Sequence, residues 1–437
     1  MRHPIRRSLA VALFALAAAP LPARPQQAPT IDRATVERVL GTLASDEMLG
    51  RHAFTPNGVR AAEFVAREFQ AAGLQSPPGA DGYMQRFSTR TLTVGTGRVV
   101  VNGRQLLPNQ IAMRLGGGNI EWRTGDVPVI VVTPDDDPLT TVTSVTNAGF
   151  DALVLIDEAH REGFTPLLQI FRRPVRVLSS AQGAAVVLGL VSNANENATY
   201  QVSHTANVVE EPLVNVVGMI PGRRTNEFVL FSAHYDHIGV QRPIYGDSIA
   251  NGANDNASGV AAVVALAKYY ASRGTPERTL LFAAFTAEED GGYGSRHYSR
   301  QLDPDQIVAM FNIEMIGKAA AAGPNTAWIT GFDKSSFGQI LQRAVAGTGY
   351  QFQPDPYPQM QLFTRSDNAT LARLGVPAHS ISTTPVNNDP DYHRVSDEIE
   401  TVDVAHMVRT IQAIARGAET IVSGAATPTR VDPATVQ

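Results

Sequence analysis

The sequence predicts an α/β fold, a mainly parallel mixed sheet sandwiched by helices and interrupted by a β-rich inserted module. Two observations support this prediction. From about residue 227 onward, short apolar runs alternate with helical patterns, which is typical of βα units. Between 92 and 207, short β-like runs are instead separated by clusters of Gly, Pro, Asn and Asp. We therefore expect one main domain, residues 30–91 and 208–423, that carries residues 92–207 as an insert.

Composition and the first residues restrict the class of protein. The 437 residues contain 36 Lys and Arg against 41 Asp and Glu without a long basic run, which argues against a nucleic-acid partner. Cysteine is absent from the sequence, which excludes disulfides, thiolate metal ligands and a cysteine nucleophile. Three arginines, an apolar run over 9–21 and a small-residue zone predict a signal peptide over residues 1–23. Because the run is too short to span a bilayer comfortably, we expect export, periplasmic or extracellular, and no membrane span after cleavage; an uncleaved anchor is the alternative.

The elements follow from local patterns. Apolar residues at helical spacing predict two early helices, Asp32 to Leu43 and Gly58 to Gly73. In the insert, short apolar runs predict strands at Arg98–Val101, Val127–Val132, Ala152–Ile156 and Gly183–Leu190. Later strands and helices are predicted at Phe228–Ala233, Ala257–Ala271, Thr279–Thr286, Ser295–Gln301, Ile307–Met315, Trp328–Thr330, Ser336–Ala346, Val376–Ile381 and Val404–Ser423. Residues 424–437 are small and polar with two prolines, and we expect them to be disordered.

Polar side chains follow several of the predicted strands at the point where each strand ends. In open α/β sheets, sites form outside the carboxyl ends of the strands. One histidine with several carboxylates at neighbouring strand ends predicts a metal site, and without cysteine its ligands must be His, Asp and Glu. The candidates are His234 and Asp236 after one strand, Asp255 before a helix, Glu288 and Glu289 after the next strand, Glu314 at the end of another, and His393 in a late loop. His237 and His379 are further histidines that could line such a site.

At these stretches the chain resembles the secreted co-catalytic di-zinc aminopeptidases, a family related to glutamate carboxypeptidase, glutaminyl cyclase and the non-catalytic transferrin receptor. The resemblance covers most of residues 30–90 and 208–420, in the same order along the chain. The motifs that carry it are Leu-Ala-Ser-Asp-Glu-Met-Leu-Gly-Arg, His-Tyr-Asp-His, Asp-Asn-Ala-Ser-Gly, Glu-Glu, Asn-Ile-Glu-Met-Ile-Gly, Arg-Ser-Asp and Tyr-His-Arg. The insert lies where family members often carry a protease-associated domain, but its own likeness to that domain is weak.

The resemblance implies two zinc ions per chain and a role for each candidate. His234 and Glu314 would bind one zinc, Glu289 and His393 the other, and Asp255 would bridge them. Asp236 would orient His234, which fits the usual support of a metal-bound histidine by a second group. Glu288 would act as general base on the bridging water. Tyr392 would stabilise the oxyanion, and Arg365 would contact the substrate.

Two positions depart from the family pattern. Glu314 stands where many members have Asp, so one extra methylene must be accommodated. Asn368 follows Arg-Ser-Asp where an aromatic residue or His is common, which affects the expected substrate pocket.

These features together predict an exported zinc metallo-exopeptidase that removes N-terminal residues from peptide substrates. Acidic groups near the metals, including Glu288 and Glu314, would recognise the free amine. A carboxypeptidase or a glutaminyl cyclase of the same fold is an alternative that stays open. A binding protein with an inactive peptidase fold is a more distant one, since every predicted ligand position holds a residue able to bind metal.

Overall fold

The computed structural model describes residues 30–78 and 80–436. The predicted leader, residues 1–23, lies outside these ranges. None of the helices within them has the length and apolar character needed to cross a bilayer.

Helices and strands alternate along the described chain. The α-helices are α1 (Arg33–Leu43), α2 (Pro56–Ala71), α3 (Pro138–Ala148), α4 (Arg161–Phe171), α5 (Ser258–Ala271), α6 (Tyr293–Ser299), α7 (Phe337–Ala344), α8 (Asn368–Ala372) and α9 (Val404–Val422). The strands are β1 (Met84–Val101), β2 (Arg104–Gln105), β3 (Ile111–Arg114), β4 (Ile120–Arg123), β5 (Val129–Val132), β6 (Ala152–Asp157), β7 (Val175–Leu178), β8 (Val186–Val191), β9 (Tyr200–Ile220), β10 (Arg224–His234), β11 (Gly239–Ile244), β12 (Asp247–Ala250), β13 (Arg278–Phe285), β14 (Ile307–Ile313), β15 (Thr326–Ile329), β16 (Gln351–Pro354) and β17 (Ala378–Ser382).

A large mixed sheet forms the centre of the molecule, which confirms the predicted fold class. Its strand order is β16-β15-β17-β14-β10-β13-β9-β1-β2, with β4 added to β9 and β7 to β1. The four central strands β17, β14, β10 and β13 are parallel. His234 pairs in register with Phe285, and Ser232 with Asn312, so these strands end at the same edge. The polar residues that follow them are therefore brought together.

Helices cover both faces of the central strands. On one face, Phe231 stacks between Phe282 and Phe311, with ring centroids 5.5 and 4.9 Å apart, beneath α1, α5 and α9. Helix α5 is buried over most of its surface, which explains why its sequence is apolar all round. On the other face, Leu230 and Met310 pack against α6 and α8. Because successive side chains of a strand point to opposite faces of the sheet, each strand contributes residues to both cores.

The insert contains a second sheet and two helices. Strands β3, β8, β6 and β5 form a four-stranded sheet, and α3 and α4 share a hydrophobic core with it. The sequence patterns did not indicate either helix: α3 is rich in threonine, and α4 contains Pro166. The long strands β1 and β9 pair from Met84 to Val101, with a register shift between Val94 and Gly97, and both continue past the predicted boundaries at 92 and 207.

The predicted disorder of the last residues is wrong for 424–436. Val431 and Val436 are buried in the core beneath α8. Arg430 donates hydrogen bonds to the carbonyls of Pro304 and Ile307, and Asp432 caps a short 3-10 turn. The average composition of this segment is polar and small, but two well-placed valines and one arginine are enough to attach it.

A buried arginine joins the N-terminal segment to the loop that carries Asp255. Arg51 has no exposed surface and donates hydrogen bonds to five carbonyls: those of Leu43 (3.1 Å), Tyr235 (2.6 Å), Asn251, Gly252 (2.6 Å) and Asp255 (3.2 Å). Burial lowers the pKa of its guanidinium, and nearby carboxylates, Asp255 first, oppose that shift. Gly50 allows the approach, because at φ 63° a Cβ there would lie 2.5 Å from the carbonyl oxygen of Ala250.

Replacing Arg51 by Met should strongly destabilise the protein. The variant keeps a similar chain length but leaves five buried carbonyls without their donor, so we expect a loss of about 3 kcal/mol or more in the free energy of unfolding. Denaturant unfolding of the wild type and the variant measures this loss. Arg60→Met is the matched control, because exposed Arg60 donates only to the Glu47 carbonyl and should change stability by less than about 0.5 kcal/mol. Equal effects of the two substitutions would contradict the assigned role.

A second buried basic side chain, His379 on β17, is a neutral imidazole at neutral pH. Its Nδ1–H donates to the Thr330 carbonyl at 2.8 Å, and the Ser335 hydroxyl lies 2.7 Å from Nε2. The ring stacks on Phe337 and does not line the cavity described below. Burial lowers the pKa of His379 from 6.5 to about 4.

This shift predicts acid sensitivity. Because the folded-state pKa lies below the unfolded-state value, His379 contributes stability that is complete above pH 6.5 and is lost as the pH falls towards 4. The loss is at most about 3 kcal/mol. Denaturant unfolding of metal-free wild type and His379→Asn between pH 7 and pH 4 measures it, since Asn keeps a donor near Nδ1 but does not titrate. Curves that fall in parallel would refute the prediction.

Candidate metal centre

The predicted ligands converge at the carboxyl edge of the central parallel strands. His234 is the last residue of β10, Glu289 follows β13, and Glu314 follows β14 directly. Asp255 lies in the turn before α5, and His393 lies in the loop before α9. The strand order thus assembles residues that are up to about 160 positions apart in the chain.

His234, Asp255 and Glu314 form the first set of ligand atoms. His234 Nε2 lies 3.0 Å from Glu314 Oε1 and 3.3 Å from Asp255 Oδ1. Ligand atoms of one tetrahedral zinc, each about 2.0–2.2 Å from the ion, are about 3.3 Å apart. His234 and Asp255 are buried, and Glu314 is partly exposed. The spacing therefore fits a metal ion, and the extra methylene of Glu314 is accommodated.

His393, Asp255 and Glu289 form the second set with the same spacing. His393 Nε2 lies 3.0 Å from Glu289 Oε2 and 3.3 Å from Asp255 Oδ2. Asp255 therefore directs one oxygen towards each set. A carboxylate shared in this way is what two metal ions about 3.5–4 Å apart require.

The loop of Asp255 is fixed from several sides. The backbone N–H groups of Asn254 and Asp255 donate to Oδ1 and Oδ2 of Asp397, each at 2.9 Å. The Asn256 side chain donates to the Ile313 carbonyl and accepts from the backbone of Gly259 and Met315. The carboxylate shared by the two ligand sets is thus held in place by its own loop, as a precise metal site would require.

Asp236 supports both His234 and the glutamate pair, each through a different group. His234 Nδ1 donates to the backbone carbonyl of Asp236 at 3.1 Å, whereas the carboxylate Oδ1 is 3.9 Å away. The carboxylate instead accepts the backbone N–H groups of Glu288 (3.2 Å) and Glu289 (3.4 Å). The carbonyl therefore leaves His234 Nε2 free for a metal, and the carboxylate positions the Glu288–Glu289 turn.

The environments of the two adjacent glutamates shift their pKa values in opposite directions. Burial, together with the charges of Asp367, Glu314 and Glu289, raises the pKa of Glu288 well above its ordinary value, and His234 only partly opposes this. Burial and Asp255 would raise the pKa of Glu289 as well, but hydrogen bonds from His237 and His393 outweigh them and lower it. Such a divided pair indicates one carboxylate suited to proton transfer and one suited to ligation.

In the metal-free protein the histidines offset the carboxylates. Burial opposes the charge on His234, but Glu314 and Asp255 outweigh it and raise its pKa well above 6.5. The same balance, with Asp255 and Glu289, raises the pKa of His393 to about 10. Metal ions would take over this positive charge and displace the protons, so the donor set fits a dication.

The site opens into a cavity of about 270 Å³. Its lining includes Glu288, Tyr392 and Arg365 as well as the five predicted ligands, so eight of the nine predicted site residues meet there, and Asp236 lies behind them. Tyr392 stacks on His393, with ring centroids 3.9 Å apart, and burial raises the pKa of its phenol. The phenol therefore keeps its proton and can donate a hydrogen bond.

Backbone strain is concentrated beside the site. Ala287, Met315 and His393 adopt φ values of 54°, 51° and 56°, which residues with a Cβ rarely do. Ala287 directly precedes Glu288, Met315 directly follows Glu314, and His393 is itself a predicted ligand. These turns direct the ligand side chains, and strain of this kind is typical of functional sites.

Several residues of the site escaped the sequence analysis. Ser366 donates to Glu314 Oε2 at 2.7 Å, Asp397 holds the Asp255 loop, and Arg51 lies beneath it. All three lie inside or close to the motifs that carry the family resemblance. Their position in these motifs is the feature of the sequence that could have identified them. His237, considered only as a possible lining residue, is fully buried against Glu289.

Comparison with known proteins matches residues 215–418 to the model of peptidase family M28. Among curated relatives, leucine aminopeptidase 1 of Metarhizium robertsii is 26% identical over 209 residues, 45% of this chain and 51% of that protein. A probable zinc metalloprotease of Pyricularia oryzae is 42% identical over 137 residues, 30% of this chain and 27% of that protein. The chain thus spans about half or less of the length of these relatives.

Two solved structures share the fold. The aminopeptidase from Aneurinibacillus sp. strain AM-1 aligns with a TM-score of 0.53 and 18% identity, covering 93% of this chain and 96% of that one. The zinc aminopeptidase BSAP from Bacillus subtilis aligns with a TM-score of 0.56 and 17% identity, covering 92% and 98%. Together with the family model, these matches confirm the resemblance found in the sequence: residues 215–418, a little under half of the chain, match peptidase family M28.

Proposed function

We propose that this chain is an exported zinc metallopeptidase that hydrolyses N-terminal residues of peptides. The observation that carries the proposal is the convergence of His234, Asp255, Glu289, Glu314 and His393 on two ligand sets that share Asp255. Glu288 lies in the same cavity. Fungal relatives named leucine aminopeptidase and zinc metalloprotease support the same reading.

The donor set fits zinc. Each set offers one imidazole nitrogen and carboxylate oxygens, and the chain has no cysteine to favour a softer ion. His234 and Glu314 would hold one ion, Glu289 and His393 the other, with Asp255 between them. When bound, the ions would supply Lewis acidity to the substrate carbonyl and to an attacking water.

Glu288 is the proposed general base. It accepts a proton from the water while the water oxygen bonds to the carbonyl carbon, and it then gives that proton to the amine nitrogen as the C–N bond breaks. A carboxyl whose pKa is raised by burial holds a proton more readily than an ordinary glutamate, which suits this transfer. The Tyr392 hydroxyl, protonated and facing the same cavity, would donate to the developing oxyanion.

The cavity supports recognition of a free N-terminus. Glu288 and Glu314 both line it and would attract an ammonium group. Met315, Trp328, Met360, Leu362 and Val386 contribute an apolar part of the lining, on which a substrate side chain would pack. Arg365 is the one Lys or Arg among the lining residues of the described chain, and it would contact the substrate; it also keeps a same-fold carboxypeptidase as the second candidate.

We also propose that residues 92–207 form a module inserted in a catalytic domain built from 30–91 and 208–423. Residues that line the cavity lie between 234 and 393, so the insert acts from outside it. Its contacts with the site region include Arg176, which lies 3.5 Å from Asp290, next to Glu289, and Leu178, which packs in one apolar cluster with Ala287. Export, predicted from residues 1–23, belongs to the same proposal.

Glu288→Gln should abolish catalysis without removing the metal. The amide has nearly the same shape but cannot accept the proton, so we expect kcat on leucyl-p-nitroanilide to fall by about 10²–10⁴-fold. Zinc content, measured by mass spectrometry after dialysis, should stay at two ions per chain. Glu289→Gln is the control, because it removes a ligand and should lower zinc content as well as activity. An active Glu288→Gln protein would exclude Glu288 as the base.

Substrate comparison should separate the aminopeptidase from its alternatives. We expect leucyl-p-nitroanilide to be cleaved at least about tenfold faster than the glutamyl compound, because the apolar lining does not solvate a charged side chain. The N-acetylated leucyl compound should not be cleaved, since it lacks the ammonium group. Release of C-terminal residues from blocked peptides would favour the carboxypeptidase, cyclisation of N-terminal glutamine the cyclase, and absence of zinc binding an inactive binding protein.

A further inference from the structure

His237 is a buried histidine at the second ligand set that the proposed mechanism does not use. It follows Asp236 beyond the end of β10 and has no exposed surface. Its Nδ1 lies 2.7 Å from Glu289 Oε1 and 4.0 Å from Asp255 Oδ2. Because its Nδ1 lies within 4.8 Å of ligand atoms of both carboxylates, His237 is near enough to be a ligand itself.

The ring has little freedom to move. Gly252 lies directly against it at φ 56°, and a Cβ at Gly252 would come within 2.5 Å of two ring atoms. The ring also makes an edge contact with His393, with centroids 5.8 Å apart. His237 is therefore fixed in the orientation that directs Nδ1 at Glu289.

The distances distinguish a ligand from a hydrogen-bond donor. Both predicted ligand histidines show the same pair of distances to their carboxylates, 3.0 and 3.3 Å, close to the spacing of atoms that share one zinc. His237 instead shows 2.7 and 4.0 Å. The shorter value is typical of an N–H···O⁻ hydrogen bond, and the longer one is too far for a second carboxylate on one tetrahedral ion.

The second ring nitrogen has no partner of its own in the described part of the chain. Nε2 of His237 is buried and has no hydrogen-bond partner within residues 30–78 and 80–436. A proton on Nε2 would be a buried, unsatisfied donor, which is costly. With the proton on Nδ1, the 2.7 Å contact to Glu289 Oε1 is a hydrogen bond, whereas the other tautomer would place an Nδ1 lone pair against that oxygen.

We propose that His237 is a positioning residue for the second metal position, which donates from Nδ1 to Glu289 Oε1 and leaves Oε2 to bind the ion beside His393. The proposal rests on the zinc site of the proposed function. It explains why Glu289 directs Oε2, and not Oε1, at His393. The first metal position has a similar support: Ser366 donates a hydrogen bond to Glu314 Oε2. His237 would give Glu289 the corresponding support at the second position.

The test compares His237→Ala with His237→Asn. The Asn side-chain amide can place an N–H near the position of Nδ1, whereas Ala removes the donor. Titration of the metal-free proteins with Co²⁺, followed by visible absorption, gives the two binding constants and the ligand field of each ion. We expect His237→Ala to weaken one binding constant by about 10–100-fold and leave the other unchanged. His237→Asn should restore most of that affinity with the wild-type absorption spectrum.

The control is His406, another buried histidine, which lies on α9 and does not line the cavity. Its Nδ1 lies 2.7 Å from the carbonyl oxygen of Pro324. His406→Ala should leave both Co²⁺ binding constants unchanged, which separates a specific effect from general loss of a buried ring. The unchanged constant in His237→Ala reports that the variant is folded.

Two results would overturn the proposal. If His237→Asn binds Co²⁺ as weakly as His237→Ala and its spectrum changes, His237 is a ligand. If neither variant changes either binding constant, His237 only packs. Failure of the proposed function is distinguishable from both, because the wild type would then bind fewer than two Co²⁺ ions.

Discussion

The buried guanidinium of Arg51 holds the loop on which the candidate metal centre is built. A cation without exposed surface is costly unless its donors are satisfied, and Arg51 satisfies them with carbonyls on both sides of the Asp255 turn. Arg51 lies well before residue 215, where the family match begins. The N-terminal segment is therefore part of the site, because it fixes the loop that presents the shared carboxylate.

Arg51 also interacts electrostatically with the carboxylates around the predicted ligands. Asp236, Asp255, Glu289 and Asp397 all contribute to the field at Arg51. Desolvation alone would neutralise several of these carboxyls, and it raises the pKa of Asp236 to about 8 and that of Asp397 to about 6. Asp255 escapes this because hydrogen bonds from His234 and His393 lower its pKa well below 3.8. The carboxylate shared by both ligand sets is thus kept ionised, as is that of Glu289, whose pKa is also lowered.

Residues at strand ends could be predicted from the sequence, whereas residues that act from a distance could not. His234, Glu289 and Glu314 follow apolar runs that become parallel neighbours, so their meeting follows from topology. Arg51 contacts Asp255 across 204 positions, and nothing local in a polar loop indicates that contact. The wrong prediction of disorder at the chain end has the same cause. Val431 and Val436 are buried against residues that are distant in the sequence, and the composition of residues 424–437 carries no information about those contacts. Helices α3 and α4 were missed because threonine and proline weaken the local pattern.

Residues from three separate parts of the chain contact the turn that carries Glu288 and Asp290. Asp236 accepts its backbone N–H, His52 from the N-terminal segment lies 3.4 Å from Asp290, and Arg176 from the insert lies 3.5 Å from the same carboxylate. Arg176 also stacks on Phe54, 3.7 Å from its ring centroid. Asp290 is two residues beyond Glu288, and Leu178 and Ala181 pack in one apolar cluster with Ala287, directly before Glu288, so residues 176–181 contact this turn on both sides. These residues therefore contact the Glu288 turn without lining the cavity.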